Sequence, residues 1–233
     1  MTGVQTCALP IFFFIVLQYL QYVTGRSALG AAVAMLPLPL VLMPTARNAP
    51  YLAKWLGFAR VAPVGLLSMA VGFFLLGQLR ADTPYWFFLV GLAFYGLGMG
   101  LAGTPSTTAI TSSLPPEKQG VASAVNDVSR ELGSAFGIAI LGAVLNQSYQ
   151  DALAPSLTGL PPAMAERALS SIAFTSSPAI AQAGPAAAVI VEKARDAFVA
   201  GVGDALQIAS VVLVTAAVAV FLLARGAKAA DEA

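Results

Sequence analysis

Long stretches without a formal charge constrain this chain more than any other feature. They run from Ser27 to Ala46, Val61 to Leu79, Thr83 to Pro116, Leu132 to Gln150 and Ala205 to Ala224. About 20 mainly apolar residues carry a helix across ~30 Å of hydrocarbon, where every backbone polar group must find its partner within the protein. Repeated runs of that length predict an all-α polytopic membrane protein. Composition points the same way. Only 10% of the 233 residues are charged, against about 25% in a soluble domain, and the mean hydropathy is +0.80.

Several function classes fall away. The formal net charge of +1 gives nucleic acid no reason to bind. There is no histidine and a single cysteine, Cys7, so neither a disulfide framework nor a common transition-metal cluster is expected, and no cofactor is implied. Proton chemistry, if present, falls to Asp, Glu or Tyr.

The sequence divides into six apolar segments. Met1–Ile11 lacks the basic n-region of a signal peptide and resembles a translated sequencing adaptor, so it reads as a non-native extension. Residues 12–24 are then the end of a truncated span, too short to cross a bilayer. The alternative is a genuine helix from Val4 to Val23. Further spans are read at 29–46, with Pro37, Pro39 and Pro44 inside, and at 61–79, 84–108, 120–145 and 205–224. Ala168–Val191 is uncharged but rich in Pro, Ser and Ala, and reads as loop with short helical pieces. It belongs to a long extracytoplasmic connection over 146–200, with an amphipathic stretch from Val189 to Asp204 leading into the last span. Residues 226–233 form a tail.

Basic residues in short loops set the orientation. Arg47, Lys54 and Arg60 share one connection without an acid, Lys118 lies in another, and Arg225 and Lys228 lie in the tail. Those connections are expected in the cytoplasm, which makes the chain a multi-pass protein of the cell (inner) membrane with its C-terminus inside.

The segment 120–145 is unusual because its first half carries Asp127, Arg130 and Glu131. A charge at hydrocarbon depth costs at least ~2.5–3.5 kcal/mol. On a helix, Asp127 and Arg130 can meet, as can Asn126 and Arg130, while Asp127 and Glu131 share a face. Two readings stand. Asn126, Asp127, Arg130 and Glu131 form a gating or coupling network that changes partners, or the trio is an ion pair in the headgroup region. Softer candidates for a substrate path are Gln18, Gln21 and Tyr22 on one face of the first segment, and Tyr95 in mid-span. Thr104, Ser106, Thr107 and Thr108, around Pro105, are expected to satisfy backbone at a kink. Small residues recur as Gly96-x3-Gly100, Ser129-x3-Gly133-x3-Gly137 and Ala135-x3-Ala139-x3-Ala143, which predicts close helix contact on several faces.

The stretch Gly96–Leu145, with its Gly-rich helix, the loop SSLPPE and the helix GVASAVNDVSRELG (Gly120–Gly133), resembles the C-terminal part of the 14-helix drug:proton antiporters of the major facilitator superfamily, the EmrB/QacA type. Leu17–Pro44 and Ala194–Leu206 are similar to other parts of the same region, so the resemblance covers residues 12–225. It implies a C-terminal six-helix bundle, export of amphipathic or cationic small molecules by alternating access, and a proton gradient as energy source. It also implies a missing N-terminal half that holds the main proton carrier, so this chain alone is not expected to transport. Arg47–Arg60 looks like a degenerate copy of the family's basic inter-helix motif, or ordinary positive-inside charge. A helical membrane scaffold or assembly subunit is the alternative. An integral membrane enzyme is disfavoured, because the acids concentrate in one helix and histidine is absent.

Overall fold

The computed structural model describes residues 12–111, 115–178, 180, 184 and 187–231, and the elements among them are all helical. Met1–Ile11, Cys7 among them, and Ser112–Leu114 lie outside the described residues. Helix α1 is Phe12–Val23. It is followed by α2 (Ala28–Ala34), α3 (Pro37–Leu56), α4 (Phe58–Leu76), α5 (Tyr85–Thr111), α6 (Gln119–Leu153), α7 (Pro162–Ser170), α8 (Ile172–Thr175) and α9 (Ala187–Asp231). Ala28–Leu56, Tyr85–Gly103, Gln119–Leu157 and Ala187–Arg225 are long and apolar enough to cross a membrane, while Phe12–Val23 and Arg60–Leu76 are shorter apolar helices.

The neighbours follow an order that the sequence does not: α5 packs between α3 and α4, α9 between α4 and α6. Glycine makes this possible. A Cβ on Gly72 would lie 2.6 Å from the backbone nitrogen of Tyr95, and one on Gly65 would lie 2.7 Å from that of Ala102, so α4 and α5 touch backbone to backbone. Gly96 and Gly100 point elsewhere, to α3, where added Cβ atoms would meet Leu38 at 3.0 Å and the Ala46 nitrogen at 2.8 Å. Small residues on two faces thus put α5 at the centre. Hydroxyls tie α4 to two neighbours: buried Ser210 of α9 donates to the Ala70 carbonyl at 2.9 Å, and Ser68 donates to that of Phe94 in α5 at 2.8 Å. Such bonds are worth roughly 0.6–2 kcal/mol each in a membrane interior.

Prolines decide where α2 ends. Pro37 and Pro39 offer no N–H, and the chain tightens: Leu36 N–H donates to Val33 and Leu38 N–H to Met35, both at 3.1 Å. The Ala34 carbonyl is bypassed and is taken instead by the Tyr85 hydroxyl of α5 at 2.9 Å.

Two boundaries differ from the sequence reading. Arg47–Arg60 is not a loop. The helix α3 continues through Pro44 and Pro50 to Leu56, and only Gly57, at φ 82°, separates it from α4. Ala49 anchors this extension in a small cluster with Val61 and Leu101, while Tyr51 and Trp55 remain exposed beside Lys54, a pairing typical of a membrane interface. The stretch 146–200 is also largely helical. It holds the end of α6, the short α7 and α8, and the first turns of α9, which runs unbroken into the last apolar segment.

Candidate functional site

Helix α6 packs chiefly on α9 and has the least enclosed apolar window of the four membrane-length helices. Its seam is built from Ala122, Asn126, Gly137 and Leu141, all buried. At 3.6 residues per turn, Asp127 and Glu131 rise on one flank of that seam. Val121, Val125, Val128, Leu132 and Phe136 occupy the opposite face, and all five are exposed.

The expected network does not close inside this chain. Asp127, Arg130 and Glu131 are all exposed. Among the described residues, the polar contact of the group is a long one, from Asn126 Nδ2 to Asp127 Oδ1 at 3.4 Å. Asn126 is buried, and its Oδ1 has no partner among the described residues. Arg130 pairs with neither carboxylate. The helical spacing was right, but three residues apart permits a contact without enforcing one when both side chains stand in the open.

Tyr95, a candidate for a substrate path, lies inside the described bundle. It is 0% exposed, with its ring between Phe12 at 4.2 Å and Phe73 at 5.0 Å, and its hydroxyl has no hydrogen-bond partner. This is the aromatic core where α1, α4 and α5 meet. Gln18, Gln21 and Tyr22 are half-buried. The last five residues of α1, Tyr19–Val23, wind as a π-helix, which rotates Tyr22 relative to an α-helical projection. Arg195 of α9 donates from Nε to the Tyr22 carbonyl at 3.1 Å. Sequence reasoning missed Arg195, and no local signal marks a contact between the two ends of the chain.

The bundle has two chemically distinct ends. At one end the Tyr19 hydroxyl donates to the Arg80 carbonyl at 3.0 Å, and Arg26 stands 4.8 Å over the Tyr85 ring. A cavity of about 640 Å³ opens there between the α4–α5 connection and α9, with Arg80, Asp82, Asp196, Asp204 and Gln207 in its wall. The other end holds Arg47, Lys54 and Arg60, all exposed, together with Arg225. At the end of α5, Thr107 donates to the Gly103 carbonyl at 3.2 Å, as expected for a hydroxyl that satisfies backbone. The side chains of Thr104, Ser106, Thr108 and Lys228 lie outside the described residues.

A helical bundle with membrane-length helices, glycine-mediated packing and charges kept to its ends and one flank is the architecture of an integral membrane protein. The chain is a member of the Major Facilitator Superfamily, whose pattern it matches over residues 2–138. It is 30% identical over 210 residues to the multidrug efflux pump LfrA of Mycolicibacterium smegmatis, covering 90% of this chain and 41% of that protein. The tetracenomycin C resistance and export protein of Streptomyces glaucescens is 30% identical over 227 residues, 89% of this chain and 40% of its own length. The methyl viologen resistance protein SmvA of Salmonella typhimurium is 33% identical over 138 residues, 59% of this chain and 28% of its own. The chain therefore spans 41% or less of these relatives.

Proposed function

We propose that this chain is the C-terminal six-helix part of a 14-helix, proton-coupled efflux antiporter of the EmrB/QacA type, which exports amphipathic or cationic compounds by alternating access. The observation that carries the reading is the open flank of α6. Asp127, Arg130 and Glu131 are exposed within this chain, yet the segment Gly120–Leu145 that bears them is otherwise uncharged. Facing lipid, each charge would cost at least ~2.5–3.5 kcal/mol. An N-terminal half packed on that flank would cover the charges and offer them partners, and substrates in such transporters bind between repeats near the midplane. The motif Gly120–Gly133 and relatives named for drug efflux and toxicant resistance support the same reading.

In this scheme the trio acts as a gate at the cytoplasmic end. The proton-binding carboxylate lies in the other half, and the chain by itself does not transport. The excess of basic residues at the Arg47–Arg60 end favours placing that end, and the C-terminus, in the cytoplasm of a bacterial inner membrane. The lipid bilayer and the other half of the transporter are the partners.

The test uses ethidium, a cationic amphipath, in everted vesicles. The chain alone should give no ionophore-sensitive transport. The chain fused behind the N-terminal portion of the mycobacterial relative should restore it. Proton-driven transport by the chain alone would overturn the reading, and so would a folded, membrane-inserted fusion that stays inactive.

A further inference from the structure

An apolar groove of about 480 Å³ runs between α4 and α9, walled by Pro63, Val64 and Leu67 on one side and Val218 and Phe221 on the other. The two helices are antiparallel, since Gly77 meets Gly203 near one end and Ala70 meets Ser210 further along. The groove therefore lies toward the start of α4 and the end of α9. Its outer walls are open: Val64 is 54% exposed and Val218 is 52% exposed. The exposed apolar stripe continues along Val71 on α4 and Val214 on α9.

The mouth of this groove is positively charged. Arg60 lines it, and Arg225 stands 5.3 Å over the ring of Phe221, one of the wall residues. No carboxylate is among the lining residues described. An apolar furrow in the lipid-facing wall of a membrane bundle is open to the acyl chains of the surrounding bilayer. A guanidinium at its polar end matches a phosphate through parallel N–H···O bonds.

We infer that the α4–α9 groove is a binding site for an anionic phospholipid, with one acyl chain along Val64, Leu67 and Val218 and the phosphate held by Arg60 and Arg225. Charge complementarity selects the occupant. Two cations with no acid among the described lining residues favour a headgroup of net negative charge over a zwitterionic one, at about fivefold per basic residue. The inference rests on the reading of the chain as a membrane bundle but not on which half of a transporter it forms.

Native mass spectrometry of the purified full chain in detergent tests this, with titration by dioleoyl phosphatidylglycerol, dioleoyl phosphatidylcholine or glycerol 1-phosphate. One phosphatidylglycerol per chain should be retained, roughly twentyfold more readily than phosphatidylcholine, and glycerol 1-phosphate should not be held. The double substitution Arg60→Gln with Arg225→Gln should abolish the preference. Val218→Trp should fill the groove and expel both lipids, and Leu67→Trp repeats that test from the opposite wall should the first variant fail to fold. Equal retention of the two lipids would overturn the site, as would a preference that survives the double substitution, retention of glycerol 1-phosphate at the same level, or self-association that covers this face. A chain that is extracted from liposomes by alkali would instead overturn the membrane-bundle reading and this site with it.

Discussion

Arg130 is the residue on which the proposed gate depends. It stands between two carboxylates in sequence, and among the described residues it pairs with neither of them. If the other half of the transporter buries that flank, removal of the cation alone leaves two negative charges without a counterion, which is worse than removal of all three charges together. Arg130→Ala in the complete transporter should therefore lower ethidium export several-fold more than Asp127→Asn, Arg130→Gln and Glu131→Gln combined. Export by Arg130→Ala at the wild-type rate would remove the gate. Asn126 shows how far such reasoning from sequence reaches. Its place beside the trio was visible, but its burial depends on which face of α6 its neighbours cover, and nothing local to residue 126 encodes that.

At the scale of helices, packing is decided by where side chains are absent. Gly72 and Gly103 lie on neighbouring helices, in α4 and α5, and look equivalent in the sequence. A Cβ on Gly72 would sit 2.6 Å from the Tyr95 nitrogen and 2.9 Å from the Gly91 carbonyl oxygen, whereas one on Gly103 meets nothing within 4 Å. Gly72→Ala should push α4 off α5 at a cost of about 1–3 kcal/mol. Gly103→Ala should be neutral or gain up to ~1 kcal/mol from helix propensity. Thermal denaturation of the two variants in the same detergent separates them, and equal melting temperatures would contradict the close approach. The small-residue pattern of α5 was legible as a call for more than one neighbour, and α3 and α4 are those neighbours. The Ala135, Ala139, Ala143 face of α6 was read the same way, yet it is exposed. The pattern is necessary for close packing but does not say whether a partner lies within the same chain.

For the whole molecule, the two ends carry different chemistry, and the proposed orientation rests on it. In that proposal the end with Arg47, Lys54 and Arg60 faces the cytoplasm, and the end with Arg80, Asp82, Asp196 and Asp204 the opposite side. In a Cys7→Ser background, a cysteine at Arg80 should react in intact cells with a membrane-impermeant maleimide, and a cysteine at Lys54 should react only after the cells are opened. The reverse pattern would invert the topology. The aromatic residues mark the same two levels, with Tyr51 and Trp55 exposed near one end and Trp86 near the other.

Composition and charge spacing by themselves determined that this is a helical membrane protein, and the motif from Gly96 to Leu145 pointed to its family. Both rest on the chemistry of single segments: a run of some ~20 mainly apolar residues suits hydrocarbon, and a helix satisfies its own backbone there. The tertiary structure alone decided which helices touch, that α3 passes through two prolines to Gly57, that Tyr95 lies in an aromatic core, and that Arg195 reaches back to Tyr22. Each of these is a contact between residues distant in sequence. Lipid-soluble helices are held together by shape and a few hydrogen bonds instead of hydrophobic burial, so their partners are written in surface contours that a linear pattern does not display.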